Sequence, residues 1–104
     1  MDKYSVEISK SAERDLRDIA RIVALTISAK ETAKQALSTI QEGISKLETD
    51  ALMAPFVKDA RLAAIGYRVH EVGNNSVFYI VDERAKTVDV DRILFGGYSW
   101  RNII

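Results

Sequence analysis

The chain has 104 residues, enough for one domain with a single apolar core and no need of disulfide or metal staples. Fifteen basic residues balance fifteen acidic ones, so no net field draws the protein toward nucleic acid or an anionic membrane. The absence of cysteine excludes disulfides, thiolate catalysis and cysteine-ligated zinc, and it suits a reducing cytoplasm.

The opening MDKYSVEIS alternates polar and apolar residues where a secretory signal would show a continuous apolar run. No span approaches the roughly 20 apolar residues of a membrane helix, so a cytoplasmic protein without membrane contact is expected. Tyr4, Val6 and Ile8 alternate with Lys3, Ser5 and Glu7, the pattern of a strand with one buried face. Leu16, Ile19, Val23 and Ile27 then fall at helical spacing, with Ala12 and Ala20 in the same stripe and Ser9 or Ser11 able to cap the start. Ser28 followed by Glu31 reads as a capping box that opens a second helix, with Ala33, Leu37, Ile40, Ile44 and Leu47 as its buried stripe. Gly43 interrupts that helix at a cost of about 1 kcal/mol relative to alanine. The link between the helices is so short that they should form an antiparallel αα-hairpin.

Thr49 to Ile65 holds Pro55 and no clean period, which predicts a loop with one helical turn near Lys58 to Leu62. Three short strands follow. Tyr67 to Val72 ends at Gly73, Asn74 and Asn75, residues that tolerate positive φ. Val77 to Val81 is apolar throughout and too short for a helix, which predicts a strand buried on both faces. Thr87 to Phe95 is β-branched and is broken by Gly96 and Gly97, with Tyr98 to Ile104 as a short tail. The expected fold is a single α+β domain over residues 1–104: an N-terminal strand, an αα-hairpin and a three-stranded antiparallel meander, with the helices on one face of an antiparallel sheet of about four strands.

This order of elements, with the local text GYR, VFYIVDE, RILFGG and SW, resembles the RelE/ParE superfamily, the toxins of bacterial type II toxin-antitoxin (plasmid stabilisation) modules. The resemblance implies a cytoplasmic growth inhibitor, neutralised by a cognate antitoxin that wraps around it. The superfamily holds two activities: ribosome-dependent mRNA cleavage in RelE-like members, and non-catalytic inhibition of DNA gyrase in ParE-like members. In RelE-like nucleases a basic residue opens the central strand and two more occupy the glycine turn after the last strand. The matching positions here are Ser76, Gly97 and Tyr98. Those substitutions favour the gyrase inhibitor over the nuclease, and a fold kept for antitoxin binding without toxicity is a third alternative.

A metal-independent ribonuclease needs a base, an acid and cations around one phosphate. The candidates for that reading are Arg68, His70, Arg92 and Tyr98, while Lys58, Arg61 and Trp100 are candidates for contact with a target. His70 serves as acid or base, or is a half-exposed strand residue. Arg92 lies in register with Val88, Val90 and Leu94 on an apolar face. It needs either a phosphate or an acidic partner such as Glu71. Tyr79 reads as a core residue whose hydroxyl reaches the sheet edge. Asp89 and Asp91 form an i,i+2 carboxylate pair without a histidine or third carboxylate nearby, so no metal and no cofactor is expected.

Overall fold

A computed structural model describes residues 3–27 and 30–95. The chain runs β1 (Ser5–Ile8), α1 (Lys10–Ile27), α2 (Lys30–Ser45), α3 (Leu47–Asp50), α4 (Ala60–Ile65), β2 (Tyr67–Val72), β3 (Asn75–Asp82) and β4 (Thr87–Phe95). The four strands form one sheet in the order β1-β4-β3-β2. The last three make the expected antiparallel meander. β1 instead joins β4 in parallel, Ser5 opposite Thr87 and Ile8 opposite Val90, so the sheet is mixed rather than antiparallel throughout.

Local chemistry sets the turns. Gly73 takes φ 61° at the first central position of the two-residue β2–β3 connection, where an L side chain is strained. Between β3 and β4, Asp82 Oδ1 accepts the N–H groups of Arg84 and Ala85, both at 3.0 Å, closing an Asx turn that ends with Lys86 at φ 58°. Ser9, rather than Ser11, caps α1 by accepting Ala12 N–H at 3.0 Å. The Ser28–Glu31 capping box lies outside the described residues. Arg21 and Asp18 approach to 3.8 Å on the exposed side of α1, a contact of the kind that stabilises little.

β3 is buried on both faces, as its unbroken apolar run requires. On one side Val77 and Tyr79 pack with Val88, Val90 and Ile93 under Ile19 and Val23 of α1, Ile40 and Ile44 of α2, and Leu47. On the other, Phe78 and Leu94 pack against Val57 and Leu62. That second cover is α4 and the chain leading to it, so helices flank both faces instead of one. Asp59 caps α4 by accepting Leu62 N–H at 3.1 Å, and Gly66 ends it at φ 113°.

Gly43 sits where α2 crosses β2. A Cβ added there would stand 2.6 and 2.8 Å from the two γ-methyl groups of Val72, itself buried in the core. The helix-propensity gain of alanine is therefore outweighed by overpacking. Gly43→Ala should lower the unfolding free energy by about 1–3 kcal/mol in a denaturant titration, where propensity alone predicts a gain.

Candidate functional site

β4 is longer than the strand beside it. β1 pairs with it only as far as Val90, which leaves the outer edge from Asp91 to Phe95 without a neighbouring strand. The start of α1 takes that place. Ser9 N–H donates to Val90 C=O at 3.0 Å, and its hydroxyl donates to Asp91 C=O at 2.8 Å. Asp15 Oδ2 then accepts Ile93 N–H at 2.9 Å and Arg92 Nε–H at 2.7 Å, while Oδ1 accepts Arg92 Nη2 at 2.8 Å. The side chains are 25% and 11% exposed for Arg92 and Asp15. The hydrogen bonds to Asp15 raise the Arg92 pKa, opposed in part by burial.

Arg92 thus has its acidic partner in Asp15 and not in Glu71. Glu71 instead accepts the Ser76 hydroxyl at 2.9 and 3.1 Å. Asp15 was not singled out from sequence, although a signal was present. It stands three residues after Ala12 and four before Ile19, inside the apolar stripe of α1 where a carboxylate needs a partner. Behind the pair, α1 and β4 enclose a cleft of about 220 Å³ that also touches Ile19, Ile22 and Phe95.

Arg68 and His70 lie on β2 opposite Tyr79 and Val77. Arg68 Nη1 donates to the carbonyls of Ala54 at 2.7 Å and Leu52 at 3.3 Å, and its guanidinium lies 4.0 Å over the Phe56 ring. His70 is half-buried. Register places Val69, Phe78 and Arg92 in one row across β2, β3 and β4. Arg92 is therefore two strand spacings, about 10 Å, from β2. Arg68 and His70 alternate with Val69 and leave β2 from the opposite face. Among the described residues the predicted base and cations do not gather around one point. Lys58 is exposed just before α4 and Arg61 is exposed on it, while Tyr98 and Trp100 lie outside the described residues.

On the face away from α1, Tyr67 reaches across β3 and donates its hydroxyl to Asp91 Oδ2 at 2.8 Å. Burial, then the hydrogen bond to that carboxylate, pushes the Tyr67 pKa up to about 12. Asp91 is free to be reached because it is the extra residue of a β-bulge: Phe78 pairs with Arg92, yet the next residue, Tyr79, pairs with Val90. The described residues include no cluster of histidine, cysteine and carboxylate groups able to hold a metal ion. No described helix is long and apolar enough to cross a membrane.

Comparison with known proteins gives one family. The model of the ParE toxin of type II toxin-antitoxin systems, parDE, matches residues 6–97. Among solved structures, the chain is similar to one described as the chromosomal ParDE toxin-antitoxin system from P. aeruginosa, at 22% identity and a TM-score of 0.75, covering 90% of this chain and 97% of that one. It also resembles a chain of the RelBE2 toxin-antitoxin complex from Mycobacterium tuberculosis at 19% identity and a TM-score of 0.61, covering 89% of this chain and 98% of that one. No curated protein matches.

Proposed function

We propose that this chain, which belongs to the family of ParE toxins of type II toxin-antitoxin systems, arrests growth from the cytoplasm by binding and inhibiting DNA gyrase without catalysis. The observation that carries this reading is the engagement of Arg92. Its guanidinium is doubly bonded to Asp15 and stands two strands from Arg68 and His70, so no described constellation offers base, acid and free cation to one phosphate. Lys58, exposed just before α4, and Arg61, exposed on it, are then contacts for a protein target rather than for RNA.

The same reading includes a cognate antitoxin. β1 uses Ser5, Glu7 and Ser9 to bond β4, which turns the backbone groups of Val6 and Ile8 outward beside Ile44 of α2. That open edge suits an extended antitoxin segment that adds as a strand. Induced expression in a bacterial host, read in parallel for growth, transcript 5′ ends and DNA integrity, tests the activity. Arrest with intact transcripts and broken DNA is expected, and new transcript ends would replace the reading with mRNA cleavage.

A further inference from the structure

We propose that the loop from Leu52 to Phe56 is the surface that grips the inhibited target, and that its counterpart is an apolar pocket rimmed by carboxylates on that protein. The inference rests on the proposed function and adds the site and the chemistry of its partner. Three large apolar side chains stand out of this loop, with Leu52 44%, Met53 80% and Phe56 50% exposed. Half of the exposed large apolar side chains among the described residues fall in this five-residue loop, and apolar exposure gathered in one place is a mark of partner surfaces.

The loop is also held in shape, so it displays those side chains at little entropic cost. The Tyr79 hydroxyl donates to Ala51 C=O at 2.7 Å, and Arg68 gathers the carbonyls of Leu52 and Ala54 while lying over Phe56. Val69 N–H donates to Pro55 C=O at 3.1 Å and Val57 N–H to Tyr67 C=O at 3.0 Å, which docks the loop on the outer edge of β2. A surface made only for solubility has no use for so many anchors.

Charge identifies the partner. The exposed carboxylates of Glu48 and Asp50 lie before the loop, whereas after it, as far as Arg68, the chain carries Lys58, Arg61 and Arg68 against a single carboxylate, Asp59, whose Oδ1 caps α4. Arg68 is bonded only to neutral carbonyls and a ring face, and among the described residues none of these three cations has an ion-pair partner. An apolar protrusion flanked on its C-terminal side by cations without an ion-pair partner fits an apolar pocket with carboxylates on the facing part of its rim. The loop borders β2, at the far side of the sheet from β1, so an antitoxin strand on β1 and a target at the loop would not compete for the same backbone.

The test is inhibition of DNA supercoiling by purified gyrase, with the full chain and its variants, each first checked for wild-type thermal unfolding. Met53→Asp is expected to raise the half-inhibitory concentration at least about tenfold. Lys58→Glu with Arg61→Glu should weaken inhibition likewise, most strongly at low salt. Arg84→Glu, in the β3–β4 turn, should leave it unchanged. Wild-type potency in both the Met53 and the double charge variants would overturn the loop proposal alone. A wild-type chain without effect on gyrase would overturn the proposed function, and the loop proposal with it.

Discussion

Asp15→Ala should lower the unfolding free energy by about 3 kcal/mol, a large part of the roughly 5–15 kcal/mol that a domain of this size has. The carboxylate serves three donors at once: Arg92 Nε–H, Arg92 Nη2–H and the backbone N–H of Ile93. Its removal leaves a mostly buried guanidinium without its anion and a strand-edge N–H without an acceptor. Arg92→Ala should cost less, because Asp15 then keeps Ile93 N–H and faces a cleft that water can enter. Replacing both, as Asp15→Leu with Arg92→Met, removes the charges together and should recover much of the loss. Denaturant midpoints of the four proteins give the ordering, and equal costs for the two single variants would refute it. The double variant also tests whether Arg92 acts on the target. If it folds and still arrests growth, Arg92 is a structural residue. If it folds and has lost toxicity, Arg92 works on the target.

Much of the fold was legible because the strongest signals are local. The stripe of Ile19 and Val23, the stripe of Ile40 and Ile44, and the short unbroken apolar run of β3 are each read from neighbouring residues, and the structure places them as expected, whereas Leu47, the expected end of the second stripe, opens α3 because α2 stops at Ser45. What was not legible depends on partners distant in sequence. Nothing in Tyr4, Val6 and Ile8 says that β1 lies parallel to β4, since alternation fixes a face and not a direction. α4 has only six residues, too few to show a period, so its role as the second cover over Phe78 and Leu94 was hidden. The bulge at Asp91 had the largest consequence for the site. A regular strand puts Arg92 with Val88, Val90 and Leu94, but the inserted residue moves the core position after Val90 to Ile93 and sends Leu94 to the other face. Reasoning by twos from Val88 therefore assigned Arg92 to the wrong neighbours. The cost of a buried charge calls for either a phosphate or an acidic partner; the structure supplies the acidic one, 77 positions away and not at Glu71.

Tyr79→Ala is expected to cost about 3–5 kcal/mol, because it opens a cavity at the largest fully buried side chain among the described residues. The more informative change is Tyr79→Phe, which keeps the ring and deletes only the hydroxyl that donates to Ala51 C=O at 2.7 Å. That carbonyl is left buried without a donor, at about 1–2 kcal/mol. Burial pushes the Tyr79 pKa up to about 12 from its ordinary value of 10.0, against a smaller lowering by Arg68. The sign follows from linkage: the unfolded chain loses this proton near pH 10 while the folded chain holds it to about 12, so stability is constant below pH 10 and falls as pH rises between the two. Tyr79→Phe should flatten that alkaline decline and leave the part due to Tyr67. A variant with unchanged stability at neutral pH and an unchanged alkaline profile would show that the hydroxyl anchors nothing. The bond also joins the core to the exposed loop, so its loss should appear locally as faster hydrogen exchange at Met53 and Val57, whose N–H groups bond Asp50 C=O and Tyr67 C=O. A loop that opens more often presents Leu52, Met53 and Phe56 less often in one arrangement. Inhibition should then weaken more than the small loss of global stability accounts for, because the entropy of ordering the loop is transferred from folding to binding.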